Sequence, residues 1–297
     1  MQIWQVGLDI QENGFYALAV QRQRYGWQLR HWCFQPVYST QSQVMMPVIS
    51  AEMIPLLRQW RRKLPKRISV RIALPASSIL QQSIPLPEQK LSRQEQSWLV
   101  DASLSKLFPL AAKELAIDYR VVNSINSAYL MTEKPEQPDE IVVSAARRAE
   151  VQQWLGALAQ ADIFPEIIDT VPCVLRAMAE SAGVVQNDLL FHQLTRQFLL
   201  VSSAKQPFFY RLQPNEMMNS VERIASAIQI YQQVSGVIAA QVGYSGLDSD
   251  MPLPPNVNRW SPLAALQQLS APLPDSPHQF VLACGLALRQ EDNDASG

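Results

Sequence analysis

Glycine is scarce in this chain. It has ten glycines among 297 residues against 21 prolines, where ordinary usage puts glycine ahead, roughly 7% to 5%. Loops that cradle phosphates depend on glycine, because backbone N–H groups approach phosphate oxygens closely only where no Cβ intervenes. The shortage weighs against an active nucleotide enzyme. Cysteine is scarcer still. Cys33, Cys173 and Cys284 are widely separated, lie in apolar contexts and form no Cys-x-x-Cys pair. An odd count of that kind argues against a secreted disulfide framework and for buried free thiols in a reducing compartment. His31, His192 and His278 show no metal-ligand spacing with one another or with the cysteines, so no metal site is expected. A net charge of −1 supplies no global field toward nucleic acid or membrane. Long hydrophobic runs are missing too: the longest, Phe280 to Leu288, is about half of the roughly 20 residues a membrane-spanning helix needs. Charge and polarity within the first dozen residues argue against a signal peptide. The chain reads as cytoplasmic.

What is present begins with the opening stretch. Ile3-Trp4-Gln5-Val6-Gly7-Leu8-Asp9-Ile10 and Phe15-Tyr16-Ala17-Leu18-Ala19-Val20 flank a polar segment ending in Asn13-Gly14, the composition of a β-hairpin. Trp27 to Phe34 alternates as a third strand, and Tyr38 to Gln43 is small and polar, a loop. Ala51 to Leu64 places Ile54, Leu57, Trp60 and Leu64 at helical spacing. Its other face carries Arg58, Arg61, Arg62 and Lys63, with Lys66 and Arg67 beyond Pro65, six positive charges in ten residues. Arg58, Arg61 and Arg62 are candidates for an anion or membrane surface, and a solvated helix face is the other reading.

Ile68 to Leu74 is a strand ended by Pro75, and Ser77 to Pro87 runs extended. Ser92 and Glu95 form a Ser-x-x-Glu capping box ahead of Trp98, Leu99, Ala102 and Leu107. Ile117–Val122 and Ala128–Thr132 read as a hairpin, and residues 133–140 as a polar loop. This excursion, about 77–140, looks like an inserted α+β subdomain. Ile141–Ala145 is a strand, Arg147–Ala161 a helix, and Phe164–Asp169 a strand. A helix follows, capped by Thr170 and stopped at Gly183. We place a lobe boundary there, giving lobe I over 1–183 and lobe II over 184–297. Lobe II opens with a second meander (Asp188–Leu194, Gln197–Ser202, Pro207–Leu212), then a helix from Glu216 to Gln233. Val237–Val242 reads as a strand and Gly243-Tyr244-Ser245-Gly246 as a turn. Residues 248–277 are proline-rich and loosely ordered apart from a helix at 262–269, and 280–288 form an apolar helix.

Several of these segments together resemble one family. Val142-Val143-Ser144-Ala145-Ala146 with its following helix, Ile163 to Asp169, Leu175-Arg176-Ala177 and the closing Cys284-Gly285-Leu286-Ala287-Leu288-Arg289 resemble the pilus-assembly PilM proteins. The Trp4-Gln5-Val6-Gly7-Leu8 opening and Leu74-Pro75-Ala76-Ser77 look most like its enterobacterial HofM branch, the DNA-utilization relatives. The resemblance implies an α/β actin-like ATPase fold (ribonuclease H-like) of two lobes with a small insertion. It also implies a cytoplasmic scaffold, peripheral to the inner membrane through a PilN/HofN-like bitopic partner whose short N-terminal tail it binds. In such a fold Gly7 and Asp9 match the first phosphate hairpin, and Gly243 and Gly246 the adenosine-side glycine pair. The second phosphate hairpin corresponds to Phe191-His192-Gln193, where the family's Asp-x-Gly has lost both acid and glycine. Asp9 alone is a poor Mg²⁺ site and neutral imidazole an unsuitable ligand.

No catalytic residue and no cofactor is therefore expected, and the chain reads as a scaffold that is not an enzyme. The alternative is an ATPase whose Mg²⁺ and ATP state regulates the same assembly. A DNA-binding module would rest on the basic helix alone, and no stable nucleic-acid binding is expected. Ile79, Leu80, Ile84 and Leu86 show little sign of internal burial and are candidates for the partner groove or for an edge open to β-augmentation.

Overall fold

The computed structural model describes residues 3–37, 49–87, 89–122, 140–184, 188–204, 206, 208–214, 220–236, 238–239, 241–248 and 251–289. The expected loop at 38–43 and the strand at 128–132 lie outside them. The chain forms two compact units: Met1–Ala76 with Leu158–Gly297, and Ser77–Ala157.

In the first unit, β1 (Trp4–Gln11) and β2 (Gly14–Gln23) pair antiparallel around Glu12 and Asn13. Gly14 belongs to β2 rather than to the turn. Its φ is +144°, and a Cβ there would stand 2.2 Å from the Gln35 carbonyl oxygen of β3 (Gly26–Pro36). Helix α1 (Met53–Arg61) buries Met53, Leu57 and Trp60, and the Trp60 ring meets Phe15 of β2 at 5.7 Å. β4 (Ile68–Leu74) lies parallel to β1.

The second unit is an antiparallel sheet of β5 (Ile79–Pro85), β6 (Leu115–Val122) and β7 (Glu140–Arg147), with β7 central. Helix α2 (Arg93–Leu107) starts at the capping box: Ser92 Oγ accepts from the Glu95 N–H, and the Glu95 carboxylate from the Ser92 N–H. Its Val100 and Leu104 share one core with Ile84, Leu115, Ile141 and Val143. Helix α3 (Arg148–Gln160) follows β7 directly.

β8 (Pro165–Thr170) completes the first sheet in the order β3-β2-β1-β4-β8, with β1, β4 and β8 parallel. Helix α4 (Val171–Ser181) begins after Thr170, whose side chain accepts no capping bond; its N–H is taken instead by Asp169 Oδ1 at 2.7 Å. Gly183 ends the helix at φ +73°, in the left-handed region glycine tolerates.

A second sheet repeats the first one's plan. β9 (Leu189–Gln193), β10 (Gln197–Ser202) and β11 (Tyr210–Pro214) form the meander, α5 (Ser220–Ser235) covers it, and β12 (Val242–Gly246) and β13 (Val257–Arg259) add in parallel. The order is β11-β10-β9-β12-β13. Residues 243–246 are thus strand, not turn. Val242 and Tyr244 are buried beside Leu189 and Phe191, and pairing on both sides overrides the turn propensity of Gly and Ser. The helix expected at 262–269 is one 3₁₀ turn, Pro262–Ala265.

Two helices join the sheets. α4 and α6 (Val281–Leu288) share a core with Tyr16 and Leu18 of β2 and with Leu190, Leu199 and Val201 of β9 and β10. All eight residues of α6 are buried, which explains a run apolar on every side. Cys173 and Cys284 are buried thiols as expected, but Cys33, on the outer strand β3, is only half-buried.

Candidate functional site

The tips of the two hairpins meet. Glu12, in the β1–β2 turn, places Oε2 2.7 Å from Nε of Arg196, in the β9–β10 turn. Just behind it, Gln11 Nε2 donates to Asp9 Oδ2 at 2.7 Å, and both side chains are buried. Burial pushes the Asp9 carboxyl up to about 7, against the smaller opposing effect of the Gln11 bond. On the second hairpin, His192 Nδ1 lies 2.8 Å from Ser245 Oγ of β12. Burial, with a smaller contribution from His278, lowers the His192 imidazole to about 3, so it is neutral at physiological pH. Gln193 accepts from the Tyr244 hydroxyl and from the Asp248 N–H, tying the end of β9 to the end of β12.

The candidate glycines serve packing. A Cβ on Gly7 would lie 1.9 Å from the Ala283 carbonyl oxygen and 2.7 Å from Cβ of Leu286. Gly7 is small because α6 presses on β1. Gly246 has φ +133°, and its Cβ would meet Gln193 backbone atoms at 2.5 Å. Gly243 lies inside β12, beside Leu190 and Asn258. Glu12 thus meets the second hairpin through Arg196 and Asp9 stays with Gln11 of its own strand, while Gly243 and Gly246 belong to β12.

In the second unit, β5 pairs with β7 only, so one edge carries no partner strand among the described residues. Leu80 is 41% exposed on that strand. Ile79 and Ile84 are buried and Leu86 packs against the core, which corrects the expectation that this run lacks internal burial. The period-2 alternation of a half-covered sheet turns Ile84 inward.

On α1, Arg58 donates from Nε and Nη2 to the Gln160 carbonyl at the end of α3. Arg61 donates to the carbonyls of Pro65 and Lys66 at 3.0 and 2.9 Å. Two of the three candidate cations therefore hold backbone, and Arg62 is exposed.

Residues 7–189, more than half of the chain, match the family model described as type IV pilus assembly protein PilM. The chain belongs to the PilM family. It is similar to the DNA utilization protein HofM of Escherichia coli (strain K12), with 27% identity over 150 residues, which is 50% of this chain and 58% of that protein. Among solved structures it is similar to the PilM-PilN type IV pilus biogenesis complex, with TM-score 0.70 and 17% identity over 97% of this chain and 98% of that one. A second is the cytoplasmic domain of EpsL, an inner membrane component of the type II secretion system of Vibrio cholerae. It has TM-score 0.52 and 12% identity over 96% and 95% of the two chains. The fold is the actin-like ATPase fold, and the paired five-stranded sheets with α4 and α6 between them are its two halves.

As a PilM-family chain it places Glu12–Arg196 and His192–Ser245 at the hairpins of that fold, and neither pair was foreseen from sequence. Arg196 had one available signal: it is the cation in the turn of the second hairpin, equivalent to the turn that carries Glu12. Ser245 was hidden by the reading of 243–246 as a turn.

Proposed function

We propose that this PilM-family chain is a non-hydrolysing scaffold of a type IV pilus or DNA-uptake apparatus, holding the N-terminal tail of a PilN-like inner-membrane protein. The observation that carries the first half is the Glu12–Arg196 ion pair across the two hairpin tips. Each charge there already has a protein partner. The surrounding residues do not fit a magnesium nucleotide. Mg²⁺ demands oxygen ligands and keeps most of its waters. Asp9 is engaged by Gln11 and half-protonated near neutral pH, and the second hairpin offers a neutral imidazole and an amide instead of an acid. The close-approach faces of Gly7 and Gly246 are filled by Ala283 and Gln193.

The second half rests on the likeness to the PilM-PilN complex and on the open edge of β5. An extended peptide added there recovers its ordering cost through main-chain hydrogen bonds, with Leu80 as a side-chain contact. In this reading the partner's tail supplies the link to the inner membrane; among the described residues no helix is long and apolar enough to cross a membrane.

Calorimetric titration with ATP and Mg²⁺, alongside a phosphate-release assay, tests the scaffold reading. The expected result is neither saturable binding nor turnover. Turnover abolished by Asp9→Ala overturns it in favour of an ATP-regulated assembly factor. For the partner, the tail peptide is titrated against wild type and Leu80→Asp; unchanged affinity in the variant moves the groove away from β5.

A further inference from the structure

The net charge of −1 conceals a strong asymmetry. Between Glu12 and Glu88 the chain carries one acidic residue, Glu52, against ten arginines and lysines. The first sheet gathers much of that charge at one end. β1, β4 and β8 are parallel, so all three start at the same end, with Trp4 beside Ile68 and Val70 beside Pro165. β2 returns antiparallel to β1, so the turn from β2 to β3 lies there as well.

Three apolar side chains stand out at this end. Tyr25 in the β2–β3 turn is 73% exposed, Phe164 before β8 is 69% exposed, and Ile3 before β1 is 53% exposed. Cations alternate with them. The Arg24 guanidinium lies 5.6 Å from the Tyr25 ring and that of Arg30 5.2 Å from the Trp4 ring. Lys66 and Arg67 lead into β4 and are exposed. The nearby acids are Asp162 and Glu166, and Glu166 accepts from Ser69 Oγ.

We infer that this end of the first sheet is a membrane-docking face, fitted to the anionic headgroups and upper acyl region of a lipid bilayer. Aromatic and aliphatic side chains projecting among Arg and Lys are the composition that settles at a bilayer interface, where ring and alkyl groups enter the acyl boundary and cations stay with the phosphates. Nucleic acid fits less well, because Ile3 has no face on which a base can stack and gains nothing from a phosphate backbone. The face is independent of the nucleotide reading and of the β5 edge, so it adds a second attachment to the one made through a protein tail.

The test is co-sedimentation of the purified chain with vesicles of phosphatidylcholine alone or mixed with phosphatidylglycerol. Wild type is expected to pellet with the anionic vesicles only, and less as salt rises. Arg24→Gln with Arg67→Gln is expected to weaken partitioning about tenfold or more. Ile3→Ser with Phe164→Ser leaves the charge intact and is expected to weaken it comparably. Phe164→Ser alone, at a highly exposed position, serves if the double variant does not fold. Arg58 and Arg61 are left untouched because they hold backbone carbonyls. No pelleting, equal pelleting with neutral vesicles, or full binding by the apolar variant overturns the inference. So does binding that duplex DNA displaces while the apolar variant behaves as wild type.

Discussion

Arg289 donates from Nε to Oδ2 of Asp169 at 2.7 Å, and that carboxylate is 7% exposed. The bond fastens the residue after α6 to β8, whose Asp169 also receives the Thr170 N–H that opens α4. Asp169→Asn is expected to cost about 1.5–3 kcal/mol, the range for hydrogen bonds to a charged group. Urea melts of both single variants and of the double variant with Arg289→Gln measure the coupling; additive effects dismiss it.

Gly7→Ala is expected to destabilise by about 1–3 kcal/mol or more, because its Cβ has nowhere to go against Ala283. Gly156, inside α3, has nothing within 4 Å of an added Cβ. There the same substitution is expected to stabilise by about 0.5–1 kcal/mol. Thermal melts of the two variants shifting in the same direction contradict the packing account.

These glycines show what a linear reading reaches. The opening hairpin of each five-stranded sheet and the capping box are local patterns, decided within a few residues, and the structure keeps them. Gly7 looked like a phosphate-loop glycine because its neighbours are local, but the atoms that demand it belong to α6 at the far end of the sequence. Gly243 to Gly246 has turn composition, yet β9 and β13 claim it as a strand. Arg58 and Arg61 read as free charge because the carbonyls they bind, at Gln160, Pro65 and Lys66, carry no sequence signature.

The buried pair Asp9 and His192 gives opposite pH dependences. Folded Asp9 titrates near 7 and unfolded Asp near 4. The folded chain therefore binds the extra proton between those values, and stability falls as pH rises from about 4 to about 7. Folded His192 titrates near 3 and unfolded His near 6.5, so stability falls as pH drops from about 6.5 toward 3. The two offset each other in wild type between about pH 4 and 6.5. Asp9→Asn leaves the histidine slope alone, and acidification through that window should then cost up to roughly 1.4 kcal/mol per pH unit. A variant as flat as wild type refutes this.

Ile84→Asp places a carboxylate in the core of the second unit, beside Val100 and Leu104. Loss of that unit's protease resistance is expected, at a cost of about 4 kcal/mol or more. Leu80 shares the face of β5 that carries Ile84 but is 41% exposed, so Leu80→Asp is expected to cost much less, about 1 kcal/mol. A Leu80→Asp chain as protease-sensitive as Ile84→Asp makes Leu80 unusable as a binding probe.

Glu12→Gln or Arg196→Gln removes an ion pair that is half in water, so a change below about 1 kcal/mol is expected. Amide exchange in both hairpin turns should nonetheless quicken and be restored by the swap Glu12→Arg with Arg196→Glu. Unaltered exchange in the single variants means that the pair does not hold the tips together.

Helix α6 imposes an order of events on synthesis. The first strand leaves the ribosome early with Gly7 shaped for a helix that arrives last among the described elements. Until α6 emerges, the inner faces of β1 and β2 and the apolar side of α4 lack their shared neighbour. A contact joining such distant parts of a sequence forms slowly, and apolar surface waiting for it is prone to association. The nascent chain therefore carries its greatest aggregation risk until α6 leaves the exit tunnel, and a chaperone that shields the early sheet has its substrate in that interval.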